Sequence, residues 1–310
     1  MSAPRTRLRA KKQSPAGEVI DLTGEDPPVQ QAPEKSRQPP TTSIIQNLPS
    51  NLTSTLTNLS PPDHALLLRK QAHLQRYAID VPRDFRKYQA SVQATLVFAQ
   101  EEAGTAVCVS RGGLLLTCAH CVSDNNDDDD EERPPDPEQL YWLLFASGRV
   151  VAARCVGWDG RRDLALLRVV AAQAQLDDAR TPDDAQARFL FAEVQAAAAG
   201  PSPGDKLICV GHPGSEDLEA DEPGRKTGYD VLHLSTGTFR GYAVGQDRQD
   251  NSEIGALQHD CWTYWGHSGA PLFDRRSGKL VGLHSSWDEE TAMRRGVGLE
   301  AVVAFLEENL

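Results

Sequence analysis

Short apolar runs bounded by Gly, Pro and Asp recur from residue 92 onward, whereas the first 88 residues contain few of them. Runs punctuated in this way read as strands. They fall at 92–99, 105–109, 113–118, 141–145, 149–157 and 163–170, and again at 206–211, 230–243, 255–260, 270–273, 279–285 and 295–299. Six strands on each side of the Ala-rich, polar stretch 171–203 predict an all-β body of two six-stranded antiparallel β-barrels. Barrel 1 is expected over about 89–170 and barrel 2 over about 204–298, within one unit spanning 89–310. The period changes at the end, where Leu299, Val302, Val303 and Leu306 share one helical face and predict a closing helix over 299–309, packed on the second barrel. A body of this length can bury a sizeable core without a second globular domain.

Residues 1–88 are rich in Pro, Ser, Thr and Gln and poor in aromatics, so a largely disordered N-terminal arm is expected there. One exception is DHALLLRKQAHLQRY from Asp63. Asp63 follows Pro61-Pro62 as a candidate cap, and Leu66, Leu67, Leu74 and Tyr77 fall on one face of a short helix expected to pack on the body. A second exception is Val19-Ile20-Asp21-Leu22-Thr23, followed by Gly24, Glu25 and Asp26. A short β-prone apolar stretch beside acidic charge suits addition to the edge of another protein's sheet. The string resembles a SUMO-interacting motif, which implies SUMO or SUMO-modified proteins as partners through Val19, Ile20, Asp21 and Leu22.

Three further strings carry candidate chemistry: TCAHCV around His120, RRDLALLRV around Asp163 and WGHSGAPLFD around Ser268. A serine hydroxyl becomes a useful nucleophile when an imidazole removes its proton and a carboxylate fixes the imidazole's tautomer. The apolar run Leu114–Thr117 delivers His120 to a strand end, and Asp163 opens the apolar run from Leu164 to Val169, which would shelter its carboxylate. Small residues around Ser268 let the backbone turn sharply, aiming the N–H groups of Gly266 and Ser268 at one point as an oxyanion hole.

In this order the T-x-A-H, D-L-A-L-L and G-x-S-G-x-P-L strings resemble those of chymotrypsin-fold, trypsin-like serine peptidases over roughly residues 90–310. The stretches from Gly104 to Val107 and KLICVGHPG at 206–214 are more similar to the HtrA-like group than to digestive trypsins. The resemblance implies hydrolysis of protein or peptide substrates, with His120 as base and then acid, Asp163 as orienting carboxylate and Ser268 as nucleophile. It also sets expectations by its departures. No I-V-G-G segment precedes the body, and His267 stands where secreted trypsins carry the Asp that receives a freed amine, so activation by that ion pair is not expected. The chain ends at Leu310, leaving no room for a C-terminal PDZ domain.

For substrate choice, the resemblance puts Trp262 at the base of the specificity pocket, Ser285 and Ser286 with Trp287 on one wall and Gly296 on the other. No carboxylate stands there to receive Arg or Lys, and a shallow pocket for small or medium apolar side chains is expected. A different class of function is a catalytically silent protease fold acting as a SUMO-binding or holdase module.

Charge and cysteine content refine the setting. The net charge is −12, although five basic residues and no acid occupy the first twelve positions, which reads as an import signal. The acidic body would repel phosphate, so direct nucleic-acid binding is not expected. The acid run from Asp124 to Glu132 reads as a solvated loop. With no apolar h-region and no 18-residue apolar run, neither secretion nor a membrane span is expected. The location expected is intracellular, nuclear before cytoplasmic. The six cysteines then read as free thiols, and without a second C-x-x-C no metal or other cofactor is expected.

Overall fold

A computed structural model describes residues 45–100, 104–123, 133–174, 189–217, 220–222 and 224–310. The SUMO-like string, the basic N-terminus and the acid run at 124–132 lie outside the described residues.

All twelve expected strands form, two to a hairpin or meander step. Barrel 1 uses β2 (Thr95–Phe98), β3 (Thr105–Cys108), β4 (Leu114–Thr117), β5 (Tyr141–Phe145), β6 (Val150–Asp159) and β7 (Leu164–Gln173). Their order is β7-β4-β3-β2-β5-β6, and the β6–β7 pairing closes the ring. Barrel 2 uses β8 (Lys206–Gly211), β9 (His233–Tyr242), β10 (Leu257–His259), β11 (Pro271–Asp274), β12 (Leu280–Asp288) and β13 (Met293–Gly298), closed in the order β10-β13-β12-β11-β8-β9. Every neighbouring pair within the two rings is antiparallel. Closure leaves no unpaired edge, which is how an all-β body of this size avoids edge-to-edge association.

The expectation of disorder through residue 88 is corrected for its second half. β1 (Gln46–Leu48) adds to β7 in parallel, outside the ring, and α1 (Ser54–Thr57), α2 (Pro61–Arg76) and α3 (Gln89–Gln93) follow. Leu52, Leu67, Leu74, Val81, Phe85 and Val92 join the main core. Leu67 and Leu74 lie on the helix expected from Asp63, whereas Leu52, Val81, Phe85 and Val92 are too widely spaced for composition to betray; together they bury enough apolar surface to hold the segment down. The helix at 61–76 is capped by Ser60 rather than by Asp63: the Ser60 hydroxyl oxygen accepts from the Asp63 N–H at 3.3 Å and its hydrogen bonds the Asp63 carboxylate at 2.7 Å. Its buried face is Leu67, Lys70 and Leu74, one helical stripe, while Tyr77 lies beyond the last turn and is exposed. Lys70 keeps its charge satisfied inside by donating to the carbonyls of Phe98 (2.9 Å) and Gln100 (3.0 Å).

The closing helix α4 runs over Leu299–Asn309, burying Leu299, Ala301, Val302, Phe305 and Leu306. It also reaches barrel 1, since Arg162 grips the Glu308 carboxylate with two bonds of 2.6 and 2.8 Å. Among the described residues no helix is long and apolar enough to cross a membrane.

Candidate active site

Barrel 1 supplies the imidazole and the carboxylate. β4 ends in a single 3-10 turn, Ala119–Cys121, that lifts the His120 side chain, about one-third exposed, out of the sheet. Asp163 sits just before β7 in the left-handed region at φ +53, a conformation that Asp tolerates better than most residues. Asp163 is buried, and its Oδ1 receives two bonds from the same residue, from His120 Nδ1 at 2.9 Å and from the His120 backbone N–H at 3.2 Å. That grip assigns the ring proton to Nδ1 and leaves Nε2 as the basic nitrogen. Burial opposes charge on His120, but the charge and hydrogen bond of Asp163, with help from Cys121, raise its pKa well above the usual value.

Barrel 2 supplies the hydroxyl. Ser268 lies in the turn before β11, and that turn is pinned to both barrels. Its carbonyl accepts the Thr105 N–H at 2.7 Å, the Thr105 hydroxyl donates to the Gly266 carbonyl at 3.0 Å, and Gly269 N–H donates to the His284 carbonyl at 2.8 Å. Gly266 adopts φ +90, where a Cβ would come within 2.7 Å of the His212 carbonyl, so only glycine fits. Among the described residues, neither the Gly266 nor the Ser268 N–H has a hydrogen-bond acceptor, the state a vacant oxyanion hole requires. The Ser268 hydroxyl donates to the Ser285 carbonyl at 3.2 Å. The turn carrying His120 and the loop carrying Ser268 converge on Gly104, whose added Cβ would lie 2.7 Å from the Ser268 carbonyl oxygen and 2.8 Å from Cys121 Sγ.

All six cysteines are free. Cys121 therefore faces a glycine, and Cys118 lies fully buried behind His120. Cys118, His120 and Asp163 place sulfur, nitrogen and oxygen donors within 4.8 Å of one another, a set that suits a soft divalent cation. Burial first, then the Asp163 charge, drives the Cys118 thiol well above its usual pKa. It stays protonated, and the Asp163 oxygen is already spent on His120, so these residues fit an imidazole–carboxylate pair better than a metal.

His267, fully buried, braces the nucleophile turn. Its Nδ1 lies 3.2 Å from the Tyr264 backbone nitrogen and 3.1 Å from the Tyr264 carbonyl oxygen, and burial, with the neighbouring His284 and His212 adding to it, holds the ring neutral. Trp262 is half-buried in an aromatic group with Tyr229, Tyr264 and His233. Ser285 and Ser286 lie side by side on β12 with their hydroxyls 3.2 Å apart, and Gly296 pairs with His284 on the neighbouring strand. A Cβ at Gly296 would come within 2.2 Å of the Leu283 carbonyl.

One group escaped the sequence reading. His259 Nε2 and His284 Nδ1 are 3.0 Å apart inside barrel 2, and the guanidinium of Arg294 is stacked 4.7 Å from the centre of the Trp287 ring. The only signal was a histidine inside each of two otherwise apolar strand runs, ALQHD and LVGLHSS.

The profile of the trypsin-like peptidase domain family matches residues 104–283, which contain His120, Asp163 and Ser268. Among solved structures, the chain is similar to a serine endoprotease from Yersinia pestis, with 20% identity, 74% of this chain and 67% of that chain covered, and a TM-score of 0.48. No curated protein matches it. With the profile covering more than half of its length and the paired barrels on which the motifs converge, the chain belongs to the trypsin-like peptidase domain family.

Proposed function

We propose that the chain is an intracellular, nuclear serine endopeptidase of the HtrA-like kind, recruited to SUMO-modified proteins by the string Val19-Ile20-Asp21-Leu22. The observation that carries the catalytic half is the 2.9 Å bond from His120 Nδ1 to buried Asp163, set beside a Ser268 turn whose two N–H groups are free. In this reading His120 Nε2 takes the Ser268 proton as Oγ attacks the scissile carbonyl. The N–H groups of Gly266 and Ser268 hold the oxyanion, and His120 then gives the proton to the leaving amine. Water, activated by the same imidazole, hydrolyses the acyl-enzyme and restores the hydroxyl. The hydroxyl must first rotate away from the Ser285 carbonyl, a side-chain motion fast compared with turnover.

That resting hydrogen bond also favours a second reading, a silent protease fold that binds without cutting. A fluorophosphonate probe separates the two. Labelling of the wild type and none of Ser268→Ala supports the peptidase, whereas a wild-type protein that stays unlabelled supports the silent module. Recruitment is tested by retention on immobilised SUMO. Changing Val19, Ile20 and Leu22 to Ala should abolish it, and equal retention removes that half of the proposal. Binding by so short a strand should be weak, with Kd between about 1 mM and 1 μM.

A further inference from the structure

Beside Ser268, strands β10, β12 and β13 carry cationic and hydrogen-bonding side chains. Register fixes which of them share a face. Across β13, Gly296 pairs with Leu257 and with His284, while Arg294 pairs with His259 and with Trp287. Directly opposed residues in antiparallel strands project from the same face. Leu257 belongs to the buried interior of barrel 2, so His259, His284 and Arg294 lie on the face it shares, while Trp287, stacked on Arg294, is 45% exposed at the end of that face.

This face adjoins the nucleophile. The main chain of His284 bonds Gly269 and Ala270 at 2.8 Å each, and the next carbonyl, Ser285, receives the Ser268 hydroxyl. Inside, Arg294 has no carboxylate partner among the described residues, and its Nε is buried without any hydrogen bond. The nearby acids are engaged elsewhere: Asp260 with Thr238 and Arg240, and Asp288 with the Glu290 and Thr291 N–H groups. His259, fully buried, also holds its Nδ1 without a partner. Burial first, and then the Arg294 charge, lowers the pKa of His259 to about 3. A half-buried guanidinium opposite a histidine held neutral, its Nε without a partner, is a cation awaiting an anion.

Building on the peptidase reading, we propose that the chain cleaves after acidic residues, the glutamate or aspartate carboxylate before the scissile bond being received by Arg294 and by the His284 ring that His259 orients. Arg294 stays charged at every working pH, and its planar fork suits a carboxylate. The shallow apolar pocket expected from the sequence is replaced by one whose unpaired polar groups reject a side chain that cannot bond them.

The test is a set of peptides identical except for Glu, Asp, Gln, Leu or Arg before the cleaved bond. Wild type should favour Glu or Asp over Gln by at least about tenfold in kcat/KM, and Leu and Arg should fall lower still. In Arg294→Gln the Glu-to-Gln ratio should collapse toward one, and Arg294→Lys should restore part of it. A merely structural Arg294 would lower all five substrates alike, and that result overturns the proposal. Wild type that labels with the fluorophosphonate yet prefers Leu or Arg overturns it while the peptidase reading stands. If neither labelling nor cleavage occurs, the peptidase reading fails, and the pocket is tested alone in Ser268→Ala by tryptophan fluorescence with product peptides ending in Glu-amide or Gln-amide. Tighter binding of the Glu peptide supports an acid pocket; equal binding overturns it.

Discussion

Barrel 1 packs Leu96, Val107, Leu115, Leu143 and Leu166 into the main core, all fully buried, whereas barrel 2 surrounds Leu207, Phe239, Leu257 and Leu272 with the buried rings of His259, His267 and His284. The apolar interior holds two groups, His120 and Asp163, that must keep one fixed relation. The polar interior supports a turn that must offer N–H groups outward and a pocket that must receive a side chain. Among the described residues, both barrels hold buried polar atoms without a partner, Thr95 Oγ1, Trp142 Nε1 and Arg154 Nε in barrel 1 and His259 Nδ1, His267 Nε2 and Arg294 Nε in barrel 2, but those of barrel 2 include two histidine rings. On the proposed reading, barrel 2 gives up part of its apolar core to recognition, whereas barrel 1 keeps an apolar core around one fixed imidazole–carboxylate pair.

The largest test of this division of labour removes the one reacting atom in barrel 2. Ser268→Ala should lower kcat by about a million-fold in a peptide hydrolysis assay while leaving the melting temperature nearly unchanged. Next comes the tautomer lock in barrel 1. Asp163→Asn should cost about 10⁴ in kcat, because an amide can hold the imidazole with the wrong nitrogen protonated. A purely structural blow to barrel 1, Leu116→Ala, should reduce unfolding free energy by about 3 kcal/mol in denaturant titration.

The smallest effect distinguishes the barrels by proton linkage. His120 has a raised pKa, so the stability it contributes is complete below about pH 6.5 and lost as pH rises through its higher folded value. His259 is depressed to about 3, so its contribution is complete above about pH 6.5 and withdrawn as pH falls. By pH 5 this single ring should withdraw about 2 kcal/mol. Hydrogen exchange at pH 5 and 7.5 should therefore show β10 and β12 losing protection on acidification before β4 and β7 do. In the same pH range, kcat/KM should climb above pH 6.5 as the raised His120 loses its proton.

The strands were readable because each apolar run has its own Gly, Pro or Asp boundary, a local property. The His, Asp and Ser strings were readable for a related reason: each carries neighbours that its chemistry needs, such as the glycine at 266 that alone tolerates its backbone geometry. Within residues 45–88 the packed helix was readable from its apolar face, and the rest of the order was not. Phe85 sits among Pro and charged residues, and only the groove it fills makes it core. The burial of Lys70 was equally hidden, since it depends on two carbonyls contributed from 28 and 30 residues away.

Local pattern, turn chemistry and motif spacing are enough to specify twelve strands, a closing helix and the three groups of a nucleophilic site, because each is encoded within a few neighbouring residues. Which ring nitrogen of His120 carries the proton was decided only when the turn after β4 met Asp163, and that Arg294 and two histidines share one face only when β10, β12 and β13 came into register. Barrel closure sets those contacts, and it depends on all of the strands at once.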